Sequence, residues 1–271
     1  MRQWHLIYDS PTSGSRNMAI DEVILQKVGA GELPPTLRFY SWSPACLSLG
    51  YGQRSQDVDR DALMQWGWDI VRRSTGGKAI LHIDELTYSL ALPADHEIAS
   101  GGIIESYRRI SNALLAGLNR LGVQSQADKR VDDIKTIGPV CFETPSHYEI
   151  TTQDGRKLVG SAQVRRKNGV LQHGTLPLFG DVARICDALA YKTPYHREEA
   201  KFHVRERATT LADALGEELT WEAVAYAIRV GFETTFDVTF SVVKSEDVLS
   251  KSTIEQLEVD EFANSDRIFR L

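Results

Sequence analysis

Along much of this chain polar and apolar residues alternate with a period of two, interrupted by stretches with the longer period of a helix. Alternation places side chains on opposite faces of a strand, whereas apolar residues three and four apart line one face of a helix. Residues 4–8 read as a short strand. Residues 16–28 read as a helix, with Met18, Ala19, Val23 and Ile24 near one face and Gly29 and Gly31 as stops. Residues 37–42 and 46–51 read as two strands around a Ser43-Pro44 turn, and residues 58–66 as a helix capped near Ser55 or Asp57. Short strands at 69–73 and 79–82 flank Thr75-Gly76-Gly77, and residues 86–92 alternate as a further strand ending at Pro93. Ile110, Leu114, Leu118 and Leu121 fall in register and predict an amphipathic helix over 107–121, with Gly122 behind it.

A β-meander comes next. Tyr148-Glu149-Ile150 leads into a turn at Gln153-Asp154-Gly155, residues 157–165 return to Asn168-Gly169, and residues 170–178 return again. Asp-Gly and Asn-Gly between alternating runs are strong hairpin signals. Residues 182–190 and 221–232 read as helices, and the last thirty or so as a strand followed by a charged, helical tail. Hairpins outnumber βαβ crossovers, which predicts an α+β fold with a mixed, largely antiparallel sheet flanked by helices. No linker breaks the chain, so residues 1–245 are expected to form one main domain and residues 246–271 a helical extension of it.

Composition narrows the function classes. A chain of 271 residues, 42% hydrophobic and 25% charged, can bury a sizeable core. A formal charge of -6 argues against nonspecific nucleic-acid binding. No apolar stretch follows the first residues as in a secretory signal, and no run is long enough to span a membrane. Cys46, Cys141 and Cys186 are an odd, sparse set without CxxC spacing, which disfavours a disulfide framework or a zinc site and fits a reducing, cytoplasmic compartment.

The three cysteines differ in setting. Cys186 continues the apolar stripe Val182, Ile185, Leu189, and Cys46 opens an apolar strand, so both read as buried hydrophobes. Cys141 lies in Gly138-Pro139-Val140-Cys141-Phe142-Glu143-Thr144-Pro145-Ser146, which carries neither helical nor strand period. It reads as a loop nucleophile or as a buried loop cysteine. A nucleophilic thiol needs a nearby cation to favour its thiolate. Lys157 and His173, on adjacent meander strands, could each face that loop; a solvated hairpin lysine and a satisfied core histidine are the plain alternatives. Gly76-Gly77 permits either a close approach to a ligand or simply a tight turn. GxSxG, HExxH, GxGxxG and the P-loop pattern are all missing from the sequence.

Several motifs occur in order: Asn17-Met18-Ala19-Ile20-Asp21-Glu22; Ser48-Leu49-Gly50 with Gln53; Arg72-Arg73-x-Thr75-Gly76-Gly77-x-Ala79-x-Leu81-His82; Glu85-Leu86-Thr87-Tyr88-Ser89; Gly155-Arg156-Lys157-Leu158-Val159-Gly160-Ser161-Ala162-Gln163; and Leu171-Gln172-His173-Gly174-Thr175-Leu176. Over roughly residues 1–245 the chain resembles the lipoate–octanoate–biotin protein ligase and transferase family. The resemblance implies the catalytic-domain fold of biotin and lipoate protein ligases, related to class II tRNA synthetase cores. Within the family, Cys141-Phe142-Glu143-x-Pro145-Ser146-x-Tyr148-Glu149 is most similar to the LipM-type octanoyl-[acyl-carrier-protein]:protein N-octanoyltransferases. That likeness implies Cys141 as carrier of an acyl thioester and Lys157 as the cation lowering its pKa. It implies an acyl pocket lined by Arg72, Thr75, Gly76, Gly77, His82, Gly160, Ser161, Ala162, His173, Gly174 and Thr175.

The resemblance further implies transfer of octanoyl from acyl carrier protein to the lysine of a lipoyl-domain protein, with no cofactor, metal, nucleic acid or membrane, by a protein expected to be a monomer. Three rivals remain on the residues alone. An ATP-dependent lipoate–protein ligase shares the glycine-rich segment and the lysine but needs no cysteine at 141. An octanoyl amidotransferase uses a cysteine to shuttle between lipoyl proteins. A non-catalytic acyl-binding module would form no thioester. Acidic partner proteins would need a basic docking patch, for which Arg72-Arg73 and Arg165-Arg166-Lys167 are the candidates.

Overall fold

In the computed structural model residues 2–128 and 149–269 are described. Their elements run β1 (Arg2–Tyr8), α1 (Gly14–Gly29), β2 (Thr36–Tyr40), β3 (Cys46–Leu49), α2 (Arg60–Trp66), β4 (Asp69–Arg72), β5 (Ile80–His82), β6 (Glu85–Pro93), α3 (Ile103–Arg120), β7 (Ser125–Asp128), β8 (Glu149–Thr152), β9 (Lys157–Arg165), β10 (Gly169–Pro177), α4 (Pro194–Arg207), α5 (Leu211–Leu215), α6 (Trp221–Phe236), β11 (Val238–Val242), α7 (Ser245–Val248), α8 (Lys251–Leu257) and α9 (Ser265–Ile268). Among the described residues the strands form an eight-stranded sheet, β11-β1-β2-β6-β10-β9-β8-β7, and a three-stranded sheet, β4-β3-β5. In the large sheet β1 pairs in parallel with β2 and β11, and the other pairings are antiparallel, as the hairpin signals imply.

Period-two alternation gives the large sheet two unlike faces. Leu86, Tyr88, Leu90 and Leu92 of β6 join Leu37 and Phe39 of β2 in the main core, where they meet Ile110, Leu114 and Leu118 of α3 and Val224, Ile228 and Phe232 of α6. Helices α3 and α6 touch at glycine: a Cβ on Gly231 would stand 2.3 Å from the Ala113 carbonyl oxygen and 2.5 Å from the Gly117 nitrogen. The opposite face carries Arg38, Tyr40, Glu85, Thr87, Ser89, His173 and Thr175, all buried. It is covered by α1, whose Met18, Val23 and Ile24 cluster with Ile7, Tyr40, Ala91 and Leu171. The C-terminal helices pack on α1 through Leu249, Ile254 and Phe262, and Arg16 pairs with Glu258 at 3.3 Å.

The structure adds detail to the local expectations. The Ser43-Pro44 turn between the two expected strands carries the chain from β2 in the large sheet to β3 in the small one. Residues 182–188 are helical as expected, in the form of a 3-10 helix. Helix α4 carries no apolar stripe to announce it, since Val204 is its one buried residue. Cys46 and Cys186 are buried, as their settings predict. Arg72 and Arg73 are buried too, so they form no docking patch, whereas Arg166 and Lys167 are exposed. No described helix is long and apolar enough to cross a membrane.

Candidate active site

The polar face of the large sheet builds one side of a narrow cavity. Register places Thr87 of β6 opposite Thr175 of β10 and Tyr40 of β2, and Thr175 opposite Gly160 of β9. His173 likewise sits between Ser89 and Ala162. Side chains of residues paired across strands share a face, so one row of alternating positions supplies the whole surface. Met18 from α1, Trp42 after β2, and Ile80 and His82 from β5 close the other side. The cavity is about 20 Å³.

A continuous polar network surrounds it. The fully buried Arg38 guanidinium donates to Asp9 at 2.7 Å, Asp21 at 2.9 Å and the Asn17 side chain at 2.8 Å. Asp21 also accepts from Tyr40 and Ser89, and His173 Nδ1 lies 3.5 Å from it. Burial opposes the Asp21 charge, but His173, Arg38 and Ser89 outweigh it and hold the carboxyl below its ordinary value. His173 Nε2 meets the Thr75 hydroxyl at 2.7 Å, and Arg73 bonds Thr75, Ser48 and the carbonyls of Gly76 and Lys78. Ser48 in turn meets His82 Nε2 at 2.8 Å. His82 stacks on Trp42, ring centroids 3.9 Å apart, and the Trp42 indole donates to Thr87, whose hydroxyl donates to Glu85. Burial, reinforced by Arg73 and His173, lowers the His82 pKa against the pull of Glu85, so the ring is neutral at pH 7.

Lys157 begins β9 beside this cavity. Its Nζ lies 2.8 Å from Glu149 Oε1 on β8, and both side chains are 4% exposed. A Cβ built on Gly160 would stand 3.7 Å from Lys157 Cε, 3.9 Å from Thr175 Cγ2 and 4.0 Å from Ile80 Cδ1. The lysine stem therefore borders the space that Gly160 leaves open. Thr209 donates its backbone N–H to the Lys157 carbonyl and anchors the start of the strand.

The sequence-predicted residues sort into three groups. His82, Gly160, Ala162, His173, Gly174 and Thr175 all line the cavity. Thr75 lies behind it, orienting His173. Arg72, Gly76, Gly77 and Ser161 do not line it. Successive strand residues face opposite ways, so Arg73 turns toward the cavity while Arg72 turns away, donating to the carbonyls of Gly50, Gln53, Arg267 and Ile268. Gly77, at φ +94°, has its carbonyl pressed against Gly50. Ser161 lies on the far face with Tyr88, whose phenol burial raises to about 12. Cys141 lies outside the described residues. Sequence reasoning gave no place in the pocket to Met18, Trp42, Ser48, Arg73, Glu85 or Glu149. The one available signal was polar residues at every second position of β6, Glu85, Thr87 and Ser89, within an otherwise apolar strand.

Cys46 is unsuited to nucleophilic chemistry, because burial and the nearby Asp69 push its thiol well above the ordinary value.

Comparison with known proteins agrees with this architecture. The Octanoyltransferase LipM of Exiguobacterium sp. (strain ATCC BAA-1283 / AT1b) is 42% identical over 95% of this chain and 93% of its own. That of Carboxydothermus hydrogenoformans is 38% identical over the full length of both. Among solved structures, the bi-partite lipoate protein ligase of Thermoplasma acidophilum superposes with a TM-score of 0.83 at 21% identity, covering 99% of this chain and 97% of that one, which shows the shared fold. The model of the lipoyl protein ligase A/B catalytic domain matches residues 13–233, and with that span and these relatives the chain belongs to the lipoyl protein ligase A/B catalytic-domain family.

Proposed function

We propose that this protein transfers an octanoyl group from octanoyl-acyl carrier protein to the lysine of a lipoyl domain, such as that of glycine cleavage H protein or an E2 subunit, through a thioester on Cys141. More broadly, the chain is an acyltransferase of protein lipoylation. The observation that carries the finer reading is the Lys157 ammonium, buried beside Gly160 at the edge of the cavity and held by Glu149. A desolvated cation favours an adjacent thiolate far more than an exposed one does.

In this reading the Cys141 thiolate attacks the donor thioester. A carbon–sulfur bond forms to Cys141, the bond to the carrier breaks, and the carrier leaves as its thiol. The acceptor amine then displaces Cys141 to give an amide. Exchange between thioesters is nearly balanced and amide formation is downhill, so no nucleotide is consumed. The acyl chain would run between Met18, Ile80, Gly160 and Ala162. A cavity of about 20 Å³ admits eight carbons only when side chains swing aside, a task suited to the flexible Met18. Each methylene buried there contributes about 0.8 kcal/mol to binding. In this reading the reaction runs in the cytoplasm, where three cysteines without CxxC spacing stay reduced.

The test is intact mass after incubation with octanoyl-acyl carrier protein without ATP. One octanoyl adduct, released by hydroxylamine, absent in Cys141→Ser and cleared by a lipoyl domain, is expected. No adduct, with lipoyl-domain acylation only when ATP and free lipoate are present, would instead establish a ligase.

A further inference from the structure

Arg72 turns away from the cavity and is nevertheless only 6% exposed. One part of its guanidinium serves the turn after β3: Nη1 donates to the carbonyls of Gly50 at 2.8 Å and Gln53 at 2.7 Å. The other part serves the end of α9: Nε donates to the Arg267 carbonyl at 3.0 Å and Nη2 to that of Ile268 at 2.6 Å. The last carbonyls of a helix have no partner within it, so Arg72 caps α9 while it holds the turn. A planar fork can join two such backbone segments, and a single ammonium cannot.

The turn leads to the cavity. A Cβ on Gly50 would stand 1.9 Å from the Gly77 carbonyl oxygen, so the turn is pressed against the glycine loop. Tyr51 donates its N–H to the Thr75 carbonyl at 2.8 Å, and the Thr75 hydroxyl meets His173 Nε2. Arg73 grips the same loop from within, at the carbonyls of Gly76 and Lys78. Residues 75–78 are thus clasped from both sides.

The segment that ends in α9 leads to the cavity as well. Residues 249–269 cross from α1 to β4. Glu258 accepts from Ser15 at 3.0 Å and from Arg16 at 3.3 Å in the first turn of α1, and Leu249, Ile254 and Phe262 pack in the cluster of that helix. Asn264 caps α9, accepting from the amides of Asp266 and Arg267. The Arg60 guanidinium lies over the Phe269 ring, 3.5 Å from its centre, and Ser55 donates to the Phe269 carbonyl at 3.2 Å. Helix α1 carries Met18, and the small sheet carries Ile80 and His82, the residues that close the cavity opposite the large sheet. One strap therefore joins both closing elements.

We propose that Arg72 is a positioning residue, through which the strap of residues 249–269 fixes the glycine loop, orients His173 and keeps the cavity narrow. A cavity of about 20 Å³ must yield to admit an acyl chain. The strap limits how far α1 and the small sheet can part, and so the length of chain that enters. This consequence for chain length rests on the acyl-transfer reading; the orientation of His173 does not.

Two variants of the full chain loosen the strap without altering the cavity or Arg72: Asn264→Ala uncaps α9, and Phe269→Ala frees it from Arg60. Amide hydrogen exchange and the ring resonances of His173, assigned against His173→Gln, are recorded without acyl substrate. The Tyr51 amide should exchange about fivefold faster, the scale of a lost N-cap, while amides of β6 and β10 keep their rates, as in a local opening. The His173 Nε2 resonance should move in both variants, and in the same direction in Arg72→Lys, which keeps the charge but cannot span both segments. An unmoved His173 resonance overturns the proposal, whether or not Tyr51 opens. Arg72→Lys/Phe269→Ala should move it no further than Arg72→Lys alone, because both changes cut one link; a summed displacement overturns that link. Competition between octanoyl- and dodecanoyl-carrier protein should shift several-fold toward the longer chain in Asn264→Ala and Phe269→Ala, and an unchanged ratio refutes the hold on cavity width. Absence of any transfer by the wild type refutes the acyl-transfer reading alone, and the His173 resonance still decides the role of Arg72.

Discussion

Lys157 and Glu149 form an ion pair of 2.8 Å between adjacent strands, with each side chain 4% exposed. Two charges taken so far out of water are held by one another and by their immediate surroundings, and removing either takes a counter-charge from its partner. Lys157→Met should therefore lower unfolding free energy by about 3–5 kcal/mol, because Glu149 loses a buried counter-charge at 2.8 Å. The double variant Lys157→Met/Glu149→Leu should recover most of that loss while thioester formation stays abolished. Urea unfolding and intact mass on the same samples separate the two effects. If the double variant regained activity along with stability, Lys157 would be a structural residue only.

Gly160 tests the cavity as the acyl site. A methyl placed there would meet its neighbours at 3.7–4.0 Å, which are ordinary contacts, so Gly160→Ala should fold with stability changed by less than about 1 kcal/mol. The methyl nevertheless occupies the space bordered by Lys157, Thr175 and Ile80. The preference should move from eight carbons toward six by about 10-fold, in line with roughly 1–3 kcal/mol for a methylene that no longer fits. Competition between octanoyl- and hexanoyl-carrier protein measures it. An unchanged ratio would place the acyl chain elsewhere.

Much of this site was legible in the sequence because strand periodicity determines faces. His173, Thr175, Gly160 and Ala162 fall on one face by counting alone once the Asn168-Gly169 turn sets the register. The same count, applied to Arg72 and Arg73, would have told them apart: the resemblance placed Arg72 in the site, whereas the strand period turns Arg72 away and Arg73 toward the cavity. Glu149 was hidden for a different reason. Its partnership with Lys157 depends on the irregular pairing between Ile150 and Thr151, where the register shifts, and no spacing rule predicts such a shift. Helix α4 was unreadable because it buries almost nothing, so no apolar period exists to be read.

His82 makes stability depend on pH. Its folded-state pKa is lowered, mainly by burial, with Arg73 and His173 acting in the same direction and Glu85 against. A base with a lowered folded pKa favours the fold while neutral, so its contribution is full above the unfolded value of about 6.5 and declines as pH falls toward the folded one. Unfolding free energy should therefore drop between pH 7.5 and 5.5, and His82→Gln should flatten that part of the curve. Chemical unfolding at both pH values gives the answer: an equal drop in the variant would assign the effect to other groups, of which His5 and His96, also lowered by burial, are the first to examine.

Arg38 shows how little room the polar floor leaves for approximation. Its guanidinium reaches Asp9, Asp21 and Asn17 at once, from a position with no solvent exposure. Three acceptors in different directions suit a planar fork and not a single ammonium. Arg38→Lys keeps the charge but cannot span all three, leaving at least one buried acceptor without a donor at about 1–3 kcal/mol. Because Asp21 also fixes Tyr40, Ser89 and His173, the loss should reach the cavity as well as the fold. The expected result is a lowered urea midpoint together with a weaker hold on the acyl chain, read as faster hydrolysis of the thioester. A variant matching wild-type stability within about 0.5 kcal/mol, the range of ordinary surface substitutions, would mean the three bonds are not individually required.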